Sequence, residues 1–142
     1  MIEAKYPPAE IKDNGNVFAI EYYKTYEEEV KRGNPYNTDF YIRVVSGSFR
    51  GYAPCECDVK GFVQFVKKLE ELYFFKRKKV VLQDYCYGSE VTFQCDRVGH
   101  VEIAGEIFGT ARIQSLTFCF QTDQTSLLKF IQTLKLYIAD FA

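Results

Sequence analysis

Residues 49–72, FRGYAPCECDVKGFVQFVKKLEEL, and residues 114–137, QSLTFCFQTDQTSLLKFIQTLKLY, decide the fold, because the second stretch reads as a second copy of the first at an offset of 65. At that shift Asp58 falls on Asp123, Phe62 on Leu127, Val63 on Leu128, Phe65 on Phe130, Val66 on Ile131 and Leu69 on Leu134. In each copy a strand-like run leads to an aspartate, and apolar residues at helical spacing follow. The carboxylate can accept from the free amides of a first helical turn, and the spacing gives one apolar stripe per helix. The pattern predicts an internal strand–turn–helix pseudo-repeat, with the two units packing alike. It also assigns most of the large apolar residues to the core.

Outward from these units the chain reads as strands. Residues 17–23, VFAIEYY, follow the turn signal Asp13-Asn14-Gly15-Asn16 and read as a first strand. Residues 24–38 are polar, with Gly33-Asn34-Pro35 as a breaker, and read as a long hairpin connection or a strand end capped by a loop. Strands follow at 39–46 and 47–57, the second entered through a Ser-Gly-Ser turn, with Pro54 marking an edge or a bulge. The first helix ends near Phe74, where the basic run Lys76-Arg77-Lys78-Lys79 suits a helix C-terminus and a solvated turn. Further strands are expected at 80–82, 91–95, 101–107 and 116–120, and a closing helix from Leu127 to Phe141. The expectation is one α+β domain over residues 1–142: a mostly antiparallel sheet of about six to seven strands, with two amphipathic helices on one side.

Composition narrows the function. A chain of 142 residues can bury about two-thirds of its unfolded surface without staples. It is 47% hydrophobic and 17% aromatic, and its 18 basic and 19 acidic residues leave a formal charge of −1. Such a chain has no field to gather phosphates, which argues against nucleic acid as a partner. The N-terminal stretch MIEAKYPPAE shows no leader pattern, and no apolar run approaches the roughly 18 to 20 residues of a membrane span. A cytoplasmic protein that does not engage a membrane is expected. The odd set Cys55, Cys57, Cys86, Cys95 and Cys119 fits a reduced compartment, with the thiols buried as small apolar groups.

Catalytic constellations are missing from the pattern. Cys55-Glu56-Cys57 cannot complete a four-ligand zinc site with a single histidine in the chain, and no metal or cofactor is expected. His100, the one histidine, follows the turn 96–99 and reads as pinning a hairpin, since no nucleophile elbow accompanies it. Gly47-Ser48-Phe49-Arg50-Gly51 leads into a strand and lacks the phosphate-loop lysine. Asp58 and Asp123 are explained by capping. A non-enzymatic protein is expected. The best candidate for a partner-binding surface is Tyr22, Tyr23, Tyr26 and Tyr36 beside Glu27, Glu28 and Glu29, because tyrosines flanked by charge are the composition of recognition patches.

The order of elements resembles the WapI-like immunity proteins of bacterial polymorphic toxin systems and related small bacterial proteins. The resemblance is carried by VFAIEYYKTYEEE, TDFYIRVVSGSF, CECDVKGFVQFVKKLEEL and LTFCFQTDQTSLLKFIQTL, and spans nearly the whole chain. It implies an intracellular protein that binds a toxin domain and blocks it sterically. Two other readings stay open: a small-molecule-binding or enzymatic domain using His100 and a cysteine, and a homodimer joined through an exposed strand edge.

Overall fold

The computed structural model describes residues 5–142, so the first four residues of the stretch inspected for a leader lie outside the described residues. Among the described residues eight strands form two four-stranded antiparallel sheets, each a simple meander in chain order. The first sheet holds β1 (Ala9–Asp13), β2 (Asn16–Thr25), β3 (Thr38–Ser46) and β4 (Phe49–Cys57); the second holds β5 (Lys79–Gln83), β6 (Glu90–Cys95), β7 (His100–Phe108) and β8 (Ser115–Asp123). A short helix α1 (Glu27–Lys31) joins β2 to β3, and the helices α2 (Val59–Tyr73) and α3 (Gln124–Ile138) follow the two sheets. The repeat is therefore larger than its sequence signature: four strands and a fifteen-residue helix, twice.

This corrects the expected single sheet of six to seven strands and the count of two helices. The strand missed was β1, whose AEIKD carries only Ala9 and Ile11 toward the core and is too short to show a period. It exists because Asn14-Gly15 makes a two-residue hairpin, with both residues left-handed (φ +50° and +82°) and Asp13 paired to Asn16. Two positive φ values in succession match the twist of the flanking strands, which is why Asn-Gly is preferred there. The missed helix, α1, places Glu27, Glu28 and Glu29 in its first turn and Lys31 in its last, favourable against the helix dipole at both ends. Gly33 ends it at φ +76°. At the chain's end α3 stops at Ile138, and Phe141 lies half-buried beyond it.

The helix offset of 65 holds at both ends of α2 and α3. The Asp58 carboxylate accepts from the Lys60 amide at 3.0 Å and that of Asp123 from the Ser126 amide at 3.2 Å. Phe65 and Phe130 are both buried, as are the pairs Phe62/Leu127, Val66/Ile131 and Leu69/Leu134. Each helix packs on strands of both halves: α2 on β5 and β6 and, through Phe62, on Tyr23 of β2 and Phe40 of β3; α3 on β1, β7 and β8; and the two helices touch. The phenylalanines show this sharing directly. Phe65 of α2 meets Phe93 of β6 at 5.7 Å between ring centroids, Phe130 of α3 meets Phe18 of β2 at 5.9 Å, and Phe18 meets Phe93 edge-on at 5.4 Å. The buried residues of the two halves form one continuous core.

The loop after β5 closes the end of β4. The Asp84 carboxylate accepts from the Glu56 amide at 2.7 Å, and the Tyr85 amide donates to the Glu56 carbonyl at 2.9 Å. Elsewhere β4 lies close to β7 and β8 through Gly51, where a Cβ would come within 2.8 Å of side-chain carbons of Ile107 and Leu116.

Candidate functional site

Alternation along β2 directs Phe18, Ile20 and Tyr22 to one face. The structure breaks that pattern at Tyr22, which sits in the left-handed region at φ +54°. Glu21 pairs with Tyr41 and Lys24 with Asp39, so Tyr22 and Tyr23 together oppose the single residue Phe40. This is a β-bulge. It turns Tyr22 outward, 49% exposed, and Tyr23 inward, 4% exposed. Tyr23 stacks on Tyr137 at 4.8 Å and packs on Phe62 at 4.9 Å. Its hydroxyl accepts a hydrogen bond from Thr25 Oγ1, and burial pushes its pKa up to about 12. Tyr137, also pushed up by burial, donates to the carbonyls of Pro7 and Ile20 and so ties α3 to the bulged strand. Tyr23 therefore belongs to the core, which corrects its place in the expected surface patch.

Outward, Tyr22 heads a row of tyrosines that crosses three strands: Tyr22 meets Tyr41 edge-on at 6.3 Å, and Tyr41 meets Tyr52 at 4.8 Å. Beside them Arg43 lies across buried Ala19, bonded to Glu10 at 2.9 Å and Glu21 at 2.6 Å. The second sheet is built the same way, yet the middle of its outer face carries Thr92, Gln94, Glu102, Ala104, Cys119 and Gln121. Fold stability therefore does not ask for aromatics on an outer sheet face. The tyrosines of the first sheet need another reason.

At the bulged end of the first sheet these side chains line an open groove of about 920 Å³. Tyr22, Tyr26, Tyr41, Tyr52 and Tyr87 are among its walls, together with the carboxylates of Glu27, Asp39, Glu56 and Asp140 and the lysines Lys5 and Lys24. Tyr26 donates its hydroxyl hydrogen bond to Asp39 at 3.0 Å while Lys24 lies over its ring at 4.7 Å. Partial desolvation, and then the Asp39 carboxylate, raise the Tyr26 hydroxyl pKa. Of the residues expected from sequence, Tyr22, Tyr23, Tyr26 and Glu27 line this groove. Glu28 pairs with Lys31 at 3.5 Å, Glu29 binds Arg32 and Asn34, and Tyr36 stands edge-on to Tyr85 at 6.1 Å. Tyr41 and Tyr52 were legible as outward positions of two expected strands. Nothing in the sequence brought them to Tyr22.

Other reactive groups are occupied or apart. His100 Nδ1 lies 2.8 Å from the Asp96 carboxylate across the β6–β7 turn and does not line the groove. The amide of His100 and then that of Val98 hold the Asp96 carboxyl below its usual range. The expectation of five buried thiols is corrected: Cys55, Cys57 and Cys95 are buried, whereas Cys86 in the loop after β5 and Cys119 on the outer face of β8 are exposed. Burial raises the Cys55 and Cys57 thiols, the latter to about 12, and so keeps them protonated and unreactive. Among the described residues no three His, Cys, Asp or Glu side chains converge on a metal position, and no helix is long and apolar enough to cross a membrane.

The model of the family described as "Immunity protein WapI-like family" matches residues 10–142. The chain belongs to that family. The paired helices, the bulge and the outward tyrosines fall inside the matched span, whereas Lys5 and Tyr6 of the groove and Ala9 of β1 precede it. No curated protein matches the chain at a significant level. Among solved structures, a chain described as "Crystal structures of trypanosoma bruciei MRP1/MRP2" aligns at a TM-score of 0.56 and 7% identity, covering 97% of this chain and 86% of that one. At that identity the likeness is one of fold alone.

Proposed function

We propose that this WapI-like chain is a cytoplasmic, non-enzymatic immunity protein that binds a cognate toxin domain and blocks it sterically. The contact surface in this reading is the outer face of the first sheet and the groove at its bulged end. The observation that carries it is the contrast between the two outer faces of a duplicated fold: tyrosines at half exposure on one, Thr, Gln, Ala and Glu on the other. Tyrosine brings a large rigid contact area at low entropic cost and is enriched where binding energy concentrates. The carboxylates along the groove suit a basic partner surface and speed encounter with it.

Co-expression with the toxin domain encoded beside this chain tests the reading. Cells expressing both are expected to survive. Replacing Tyr41 and Tyr52 together by alanine is expected to weaken the complex by about 1 to 3 kcal/mol per hot-spot residue, while Thr92→Ala with Gln94→Ala on the second sheet leaves protection intact. Protection that survives loss of the tyrosines but not of the second-sheet residues would move the surface to the other half of the molecule.

A further inference from the structure

The face that carries the tyrosines already contains one guanidinium site, filled from within. Arg43 sits between the carboxylates of Glu10 and Glu21, and its cross-strand neighbour on β4 is Tyr52. Four residues back along β3 the outward position is Asp39, and its direct partner on β4 is Glu56. Two like charges directly opposite on one face of an antiparallel pair oppose folding. Among the described residues Asp39 and Glu56 have no salt-bridge partner, although Asp39 accepts the Tyr26 hydroxyl hydrogen bond. Lys24, next to Asp39 across β2, rests over the Tyr26 ring instead. The outward pair between the two sites is Tyr41 opposite Pro54; the Tyr41 ring packs on Tyr22 and Tyr52 and lines the same groove as Asp39 and Glu56. Both residues line the groove, whose walls include four acidic residues and two lysines.

We propose that the Asp39–Glu56 end of the groove receives an arginine side chain of the protein partner, its guanidinium forked onto the two carboxylates and its plane laid along Tyr41. The proposal rests on the binding reading above and names the group that reading would capture. Arginine fits where lysine does not, because a planar fork can meet two carboxylate oxygens at once and stack on an aromatic face. The cost of holding Asp39 opposite Glu56 is then a feature of the free protein that partner binding removes.

Two measurements test this. Acetyl-arginine-amide, acetyl-lysine-amide and acetyl-citrulline-amide are titrated against the chain while the tyrosine ring resonances are followed by NMR. A saturable shift is expected at Tyr41 and Tyr26 with the arginine amide, at least tenfold weaker with the other two, and absent in the D39N/E56Q variant. An equal response to lysine, or none to arginine, overturns the arginine site. In the second measurement the D39N/E56Q variant is mixed with the toxin domain encoded beside it. Its thermal midpoint is expected to be no lower than that of the unaltered chain, since the amide oxygen that D39N introduces can still accept from the Tyr26 hydroxyl, and its affinity at least tenfold weaker. A complex of unchanged affinity overturns the arginine proposal alone, whereas no complex with the unaltered chain overturns the binding reading and the proposal with it.

Discussion

Asn37 is buried to 3% exposure between α1 and α2 and bonds in four directions. Its Nδ2 donates to the Asn34 carbonyl at 2.8 Å and to the Asp58 carboxylate at 3.2 Å; its Oδ1 accepts from the Val59 amide at 2.8 Å and from Thr38 Oγ1 at 3.0 Å. Asp58 and Asn37 thus divide the opening amides of α2, the first taking that of Lys60 and the second that of Val59. In Asn37→Ala the Val59 amide, on a residue 2% exposed, loses its partner. An unsatisfied buried donor costs about 1 to 3 kcal/mol and each lost net bond about 1 kcal/mol. Thr38 recovers part of its loss through Thr25 Oγ1 at 2.9 Å. The expected destabilisation is about 3 kcal/mol, lowering the thermal midpoint by roughly 10 °C in a chain of this size. Urea unfolding should show a shifted midpoint at unchanged slope.

Asn37→Asp sharpens the test. It keeps the acceptor for Val59 but sets a carboxylate against that of Asp58, which raises the pKa of the new group in the folded state. A raised folded pKa means that stability is lost as pH rises through it, so the variant should recover relative to the unaltered chain as pH falls. A cost below about 0.5 kcal/mol for Asn37→Ala, or a pH-independent cost for Asn37→Asp, would refute the assignment of Asn37 as the organiser of this helix start.

A Cβ at Gly105 would lie 2.2 Å from the Glu90 carbonyl oxygen, a backbone atom that cannot rotate away; Gly105→Ala is expected to cost about 3 kcal/mol or more in urea unfolding, and near-neutrality would mean β6 and β7 separate readily. Tyr22→Gly relieves a left-handed non-glycine residue, so stability should hold or rise by about 1 kcal/mol while toxin protection weakens; a loss above about 1 kcal/mol would show that contacts, and not a strain tolerated for the surface, hold Tyr22 in place. The Tyr23 hydroxyl, raised from 10 to about 12 by burial, contributes stability that is present below pH 10 and lost as pH climbs through 12. Urea midpoints measured between those values should fall less steeply for Tyr23→Phe than for the unaltered chain, and parallel slopes would exclude Tyr23 as a source of alkaline sensitivity.

What could be read without the tertiary structure was local and periodic. The two caps Asp58 and Asp123, the apolar stripes of α2 and α3 and the alternation of β6, β7 and β8 depend on neighbours three or four residues apart or on every second residue, so they are written in the order of residues. The Asn14-Gly15 turn was equally visible, but β1 was not, since a five-residue strand with two inward side chains gains its reality from Ile20 and Phe18 across the hairpin. The closing of the β4 end at Glu56 depends on Asp84, a side chain reaching its amide across twenty-eight positions, which no local pattern announces. Which strands the two helices share is likewise tertiary, as the contacts of Phe65 with Phe93 and of Phe130 with both Phe18 and Phe93 show. The candidate site depends on one extra residue in β2: a bulge reverses every side chain beyond it, and whether Tyr22 or Tyr23 faces water is settled by the packing of Tyr23 against Tyr137, a residue more than a hundred positions away.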